Sequence, residues 1–130
     1  MEVFENNVLR KIMGPVYNAT ENQWERRHNV DLREMSDQPF IQDVIRSRRL
    51  RWAGHCARMS RERIVKKVMN GQVEGNRPVC RPRYRWIDNV RKDVEVLVPQ
   101  VQNWQALAQD RGQWKGVVMA AMGLQTRELI

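Results

Sequence analysis

A chain of 130 residues, 42% hydrophobic and 29% charged, fits one small domain with a modest core. Its formal charge of +8 and pI near 10.3 point to a nucleic acid or another acidic partner. No apolar run approaches the roughly 20 residues of a membrane span, no signal-peptide core follows Met1, and only two cysteines occur, so we expect an intracellular protein, nuclear or cytoplasmic, with reduced thiols.

In chain order, Glu2 to Met13 reads as a short amphipathic helix, with Phe4, Val8, Leu9 and Ile12 at helical spacing and Gly14-Pro15 as its stop. Val16 to His28 is irregular, with a turn over Asn18 to Asn22. Asn29 suits the cap of a short helix carrying Leu32 and Met35. Asp37 is the next N-cap, with Pro39 in the first turn, where its missing N–H costs nothing. That helix runs to about Met59. Its apolar stripe is Ile41, Val44, Ile45, Trp52, Cys56 and Met59, and Gly54 weakens it by about 1 kcal/mol relative to alanine.

A second basic helix follows over 61–70, with Ile64, Val65, Val68 and Met69 inward. Gly71 ends it by adopting a left-handed backbone. Gly75, Pro78 and Pro82 make 72–83 an extended connector rich in arginine and proline. Tyr84 to about Val98 is helical again, with Trp86, Ile87, Val90, Val94 and Leu97 inward and Pro99 as the stop. Asn103 caps a last helix lined by Trp104, Leu107, Ala108, Trp114, Val118 and Met122 and weakened by Gly112 and Gly116. No strand pair stands out. The expected class is therefore all-α: a small, irregular domain of about five helices, divided as 1–35, a basic helical pair at 37–71, the connector, and a C-terminal pair at 84–123.

Charge is segregated within this plan. Between Arg46 and Lys92 lie 15 lysines and arginines against three acids, a balance of +12, which leaves −4 on the flanks. Trp52, Tyr84 and Trp86 stand among the arginines. Concentrated guanidinium with interleaved rings suits a polyanion whose bases stack. The candidate nucleic-acid contacts are Arg46, Arg48, Arg49, Arg51, Arg58, Arg63, Lys66 and Lys67 on the helical pair, and Arg77, Arg81, Arg83, Tyr84 and Arg85 at the connector. The expected partner is RNA or DNA, with contacts mostly to phosphates and little sequence preference. Arg48, Arg49 and Arg51 equally fit a nuclear-import signal.

Other chemistry finds little footing. His28, His55, Cys56 and Cys80 lack the paired spacing of a zinc site, and neighbours such as His55 and Cys56 point about 100° apart on a helix. The same divergence argues against a Cys–His nucleophile pair, so Cys56 reads as a core thiol. Trp52, Trp86, Trp104 and Trp114 read first as core rings, and Tyr84, between Arg83 and Arg85, as the stacking ring. No catalytic residue, cofactor, metal, membrane contact or small-molecule substrate is expected.

Four series of residues carry a resemblance. They are Arg49-Leu-Arg-Trp-Ala-Gly-His-Cys-Ala-Arg-Met59, Arg63-Ile-Val-Lys-Lys-Val-Met-Asn-Gly71, Glu74-Gly-Asn-Arg-Pro-Val-Cys-Arg-Pro-Arg-Tyr-Arg-Trp-Ile-Asp88, and Asn103-Trp-Gln-Ala-Leu-Ala-Gln-Asp-Arg111 with Trp114; Phe4 to Tyr17 adds a further segment. In this order and spacing they resemble the C-terminal tail of the endonuclease–reverse transcriptase polyprotein of non-LTR (LINE-like) retrotransposons. The resemblance implies a non-catalytic accessory region that helps a reverse transcriptase hold template RNA or target DNA, since the polymerase and nuclease residues of such polyproteins lie well upstream. Cys56 and Cys80 stand where that pattern does not require cysteine, and Gly112 and Gly116 where it tends to have helix formers. The connector also resembles a minor-groove hook of the Arg-Gly-Arg-Pro type, without its glycine. Two other readings stay open: a module packing on a polymerase core, and a decayed retroelement fragment with no function of its own.

Overall fold

Acids in the first turn and bases in the last match the dipole of the opening helix, α1 (Glu2–Met13), whose bounds are those expected. Gly14 ends it at φ 69°, a backbone that glycine adopts without strain, and its N–H closes onto Arg10 O at 2.9 Å. The computed structural model describes residues 1–71, 75, 79–80 and 84–123. Most of the expected connector lies outside them.

A small hairpin follows, β1 (Val16–Asn18) and β2 (Gln23–Glu25), antiparallel with Tyr17 opposite Trp24. Strands of three residues are too short to show alternation, which is why none was expected. The pair is held by an edge-on contact of Tyr17 with Trp24 at 5.2 Å and by Asn18 Oδ1 accepting from the N–H groups of Thr20 and Glu21 in the turn.

α2 (Asn29–Ser36) starts one residue earlier than Asn29 as a cap would place it. His28 is the N-cap, and its N–H donates to Asp31 Oδ2 at 3.2 Å. Asp37 does not start the next helix. It closes α2 in the left-handed region at φ 47°, where a short polar side chain is tolerated. α3 (Ile41–Ala57) begins only after Pro39 and Phe40. Glu5 ties the three helices together, accepting from Arg33 Nη2 at 2.7 Å and from the Ile41 N–H at 3.2 Å.

The inward face of α3 is Asp43, Ser47, Leu50, Ala53, Gly54, Cys56 and Ala57. The expected stripe through Trp52 is wrong: Leu50 and Trp52 are two residues, about 200°, apart on the helix, and Trp52 is 51% exposed. Apart from Leu50 and Asp43, this face is made of small residues, and they let a neighbouring helix come close. α7 (Arg111–Ala121) lies so close that the Trp114 indole rests on Gly54, where an ideal Cβ would fall 2.1 Å from Nε1. Trp114 Nε1 donates to Leu50 O at 2.9 Å.

α4 (Ile64–Asn70) also turns differently from expectation: Ile64 and Val68 are each 76% exposed, while Lys66 is buried. With one short helix packed on α3, the inward position beside Ala57 carries a lysine whose Nζ donates to Ala57 O at 2.7 Å. Gly71 follows at φ −69°, extended rather than left-handed. α5 (Trp86–Leu97) buries Val90 and Val94, as its pattern requires, though Trp86 stays 41% exposed.

The last expected helix is two. α6 (Trp104–Leu107) is capped by Asn103 Oδ1, as expected, and α7 restarts at Asp110, whose Oδ1 accepts from the N–H groups of Gly112 and Gln113. Trp104 and Trp114 pack at 5.8 Å and join Leu50, Ala53, Ala57, Val90, Val94, Ala108, Val117, Val118 and Ala121 in the core. The class is all-α apart from the hairpin, with seven helices among the described residues. None of these helices is long and apolar enough to cross a membrane.

Candidate nucleic-acid interface

α3 sorts its arginines by helical phase. Arg46 and Arg49, one turn apart, turn toward α5 and share Asp93: Arg49 Nη1 lies 2.6 Å from Oδ2 and Arg46 Nε 3.6 Å from Oδ1. Arg46 also lies 3.5 Å from Asp43. These two guanidiniums are three-quarters buried or nearly so, and their charge is matched by the fold. Arg48 and Arg51 leave the helix on another side, are exposed, and form no ion pair with the described residues. Trp52 and His55 continue their stripe at the next turn.

These four residues line an open groove of about 830 Å³, completed by Val44, Ser47, Arg58 and Met122. The Trp52 and His55 rings meet at 5.3 Å with a 42° tilt. Arg58 stands at the groove's end, where Nη1 donates to Ala108 O at 2.7 Å and links α3 to the α6–α7 turn. The groove therefore combines two guanidiniums that have no ion pair among the described residues, an imidazole and a half-exposed indole.

The other candidates divide in the same way. Arg63 and Lys67 are exposed. Lys66 is buried and its ammonium serves Ala57 O, so it does not reach the surface. Tyr84 and Arg85 are exposed, but Lys92 Nζ stands 3.6 Å from the Tyr84 ring centre and covers one of its faces. Arg77, Arg81 and Arg83 lie outside the described residues. Cys56 is buried, and burial pushes its thiol up from the ordinary value, against a smaller opposing pull from Lys66. Cys80 is exposed. No group of three or more potential metal ligands forms among the described residues.

Sequence reasoning missed Trp52 and His55 as surface groups. The signal that would have found them is the set Ser47, Ala53, Gly54 and Ala57 on one side of α3: small residues gathered on one helix face mark close helix packing and place the opposite face in solvent. Lys66 offers a direct check on this assignment. Lys66→Met should lower stability by about 1 kcal/mol through the lost hydrogen bond, softened because Gln109 Nε2 also donates to Ala57 O. Nucleic-acid affinity, read by fluorescence anisotropy, should not move; a fall larger than twofold in a folded variant would place Lys66 at the interface.

No protein-family model matches the chain, and no solved structure does. Among curated proteins it is similar to a putative uncharacterized transposon-derived protein of Caenorhabditis elegans, 29% identical over 117 residues. The match covers 84% of this chain and 40% of that relative. This similarity indicates a transposon origin.

Proposed function

We propose that this chain is a non-catalytic nucleic-acid-binding tail, derived from the C-terminal region of a non-LTR retrotransposon reverse transcriptase, that holds template RNA or target DNA with little regard to sequence. The observation that carries the reading is the exposed stripe of α3, where Arg48 and Arg51 stand free of carboxylates among the described residues beside Trp52, His55 and an open groove. The transposon-derived relative and the ordered motifs in the sequence support the origin. The excess of positive charge between Arg46 and Lys92 supports the partner.

The test is binding to labelled RNA and DNA of scrambled sequence, titrated from about 50 to 200 mM salt, with circular dichroism on the same sample. Affinity should fall steeply with salt and differ little between sequences. Arg48→Ala with Arg51→Ala should weaken binding to every sequence alike and flatten the salt slope by about 1.4 to 1.8, at 0.7 to 0.9 per phosphate contact. A double variant with unchanged affinity and slope would remove this face from the reading.

One observation favours a second reading. α1 shows solvent the very side expected to be buried, with Phe4 62% and Ile12 73% exposed beside Val3 and Val8. Such a face suits packing against another protein surface, for example a polymerase core in a longer polypeptide. A folded chain that binds neither RNA nor DNA would favour it.

A further inference from the structure

We propose that the α3 groove takes an unpaired base stacked on Trp52, so that the ligand class is single-stranded nucleic acid in preference to duplex. This rests on the nucleic-acid reading above and adds to it the form of the ligand.

The argument starts from the indole. A tryptophan is the largest apolar side chain, and one that fits the core is normally driven there. Trp104 and Trp114 are buried, whereas Trp52 stays half exposed, and Trp24 and Trp86 are exposed too; what sets Trp52 apart is its place in the groove with Arg48, Arg51 and His55. It does not stand on a bare surface. His55, one turn on, packs beside the ring, with the two ring centroids 5.3 Å apart. Arg48, one turn back, and the adjacent Arg51 supply cations along the same groove. At about 830 Å³ the groove lies in the range that admits a small planar ligand.

A duplex cannot use this arrangement. Its base faces are stacked inside, so it would meet Arg48 and Arg51 through phosphates and leave the indole without a partner. A single strand offers phosphates at intervals and bases free to unstack, and each base has a face for the ring. Arg48 and Arg51, both N-terminal to Trp52 on the helix, then take backbone phosphates beside the stacked base. Because every base presents such a face, the site discriminates strand form and not sequence.

The experiment compares an unstructured oligouridine and oligothymidine with a hairpin duplex of equal charge, at one salt concentration, for the unaltered chain, Trp52→Leu, Trp52→Phe, and Arg48→Ala with Arg51→Ala. The single strands should bind about tenfold or more tighter than the duplex. Trp52→Leu should lose most of that preference while keeping its duplex affinity, and Trp52→Phe should retain it. On the unaltered chain, light-induced crosslinking of an oligomer carrying 5-iodouridine should map to Trp52, which needs no variant to fold. The inference is overturned if duplex and single strand bind alike, if Trp52→Leu keeps the preference in full, or if crosslinks fall only on Trp24, Trp86 or Tyr84. Binding of neither form would instead sink the nucleic-acid reading on which the inference rests.

Discussion

Replacing Gly54 by alanine is expected to lower stability by about 2 kcal/mol, the reverse of what the same change does in an ordinary helix. A glycine inside a helix is about 1 kcal/mol worse than alanine, so the substitution normally gains. At Gly54 an ideal Cβ would stand 2.1 Å from Trp114 Nε1, 2.3 Å from Cδ1 and 2.9 Å from Cε2. The obstacle is a rigid ring, buried and tied to Leu50 O, not the end of a flexible chain. To make room, Trp114 must retreat by more than an ångström, which breaks that hydrogen bond and disturbs its contact with Trp104. Overpacking costs about 1 to 3 kcal/mol and an unpaired indole N–H about as much again, partly offset by the gain in helix propensity. A thermal midpoint lower by roughly 10 °C should result. Gly116→Ala is the control: its Cβ meets nothing within 4 Å, so it should raise the midpoint by a few degrees. If both substitutions raise it, α3 and α7 do not pack through Gly54.

The same glycine shows where the sequence was legible and where it was not. α1, the Asn103 cap and the inward row of α5 follow from local chemistry: dipole-matched charges, a side chain that meets orphan N–H groups, and large apolar residues at a clean period. α3 has no such clean period. Its large apolar residues are spread around the helix, and apart from Leu50 and Asp43 its buried face is made of small ones, whose value appears only when the partner helix is known to carry Trp114, more than 50 residues on. α4 fails for a related reason, since a lysine inward and two aliphatics outward invert the usual rule and depend on the carbonyl of Ala57 as a neighbour. The break between α6 and α7 was visible in principle, because Asp110 is as good a cap as Asn103, but the apolar spacing ran through it. For the candidate interface, the region of positive charge was legible, and which cations have no carboxylate among the described residues was not. That division depends on Asp93, a residue 44 positions from Arg49.

Asp93→Asn should separate the two roles of the α3 arginines, lowering stability by about 2 kcal/mol while nucleic-acid affinity holds or rises. The carboxylate is only 11% exposed and faces guanidiniums that are 24% and 29% exposed. Fully exposed pairs contribute about 0 to 1 kcal/mol, and removing one member of a fully buried pair costs about 3 to 5, so this partly buried triad falls between. Arg46 keeps Asp43 at 3.5 Å, which limits the loss; Arg49 loses the carboxylate at 2.6 Å and keeps only the amide oxygen. The amide preserves the shape, so the chain should still fold at room temperature, with urea unfolding reporting the shift in midpoint. Freed from its carboxylate, Arg49 becomes available to phosphate, and the salt slope of binding should steepen by up to about 0.9. If the folded variant instead loses affinity, Arg46 and Arg49 belong to the interface in the posture that Asp93 gives them, and the bound face of α3 extends around the helix toward α5 instead of ending at Arg48 and Arg51.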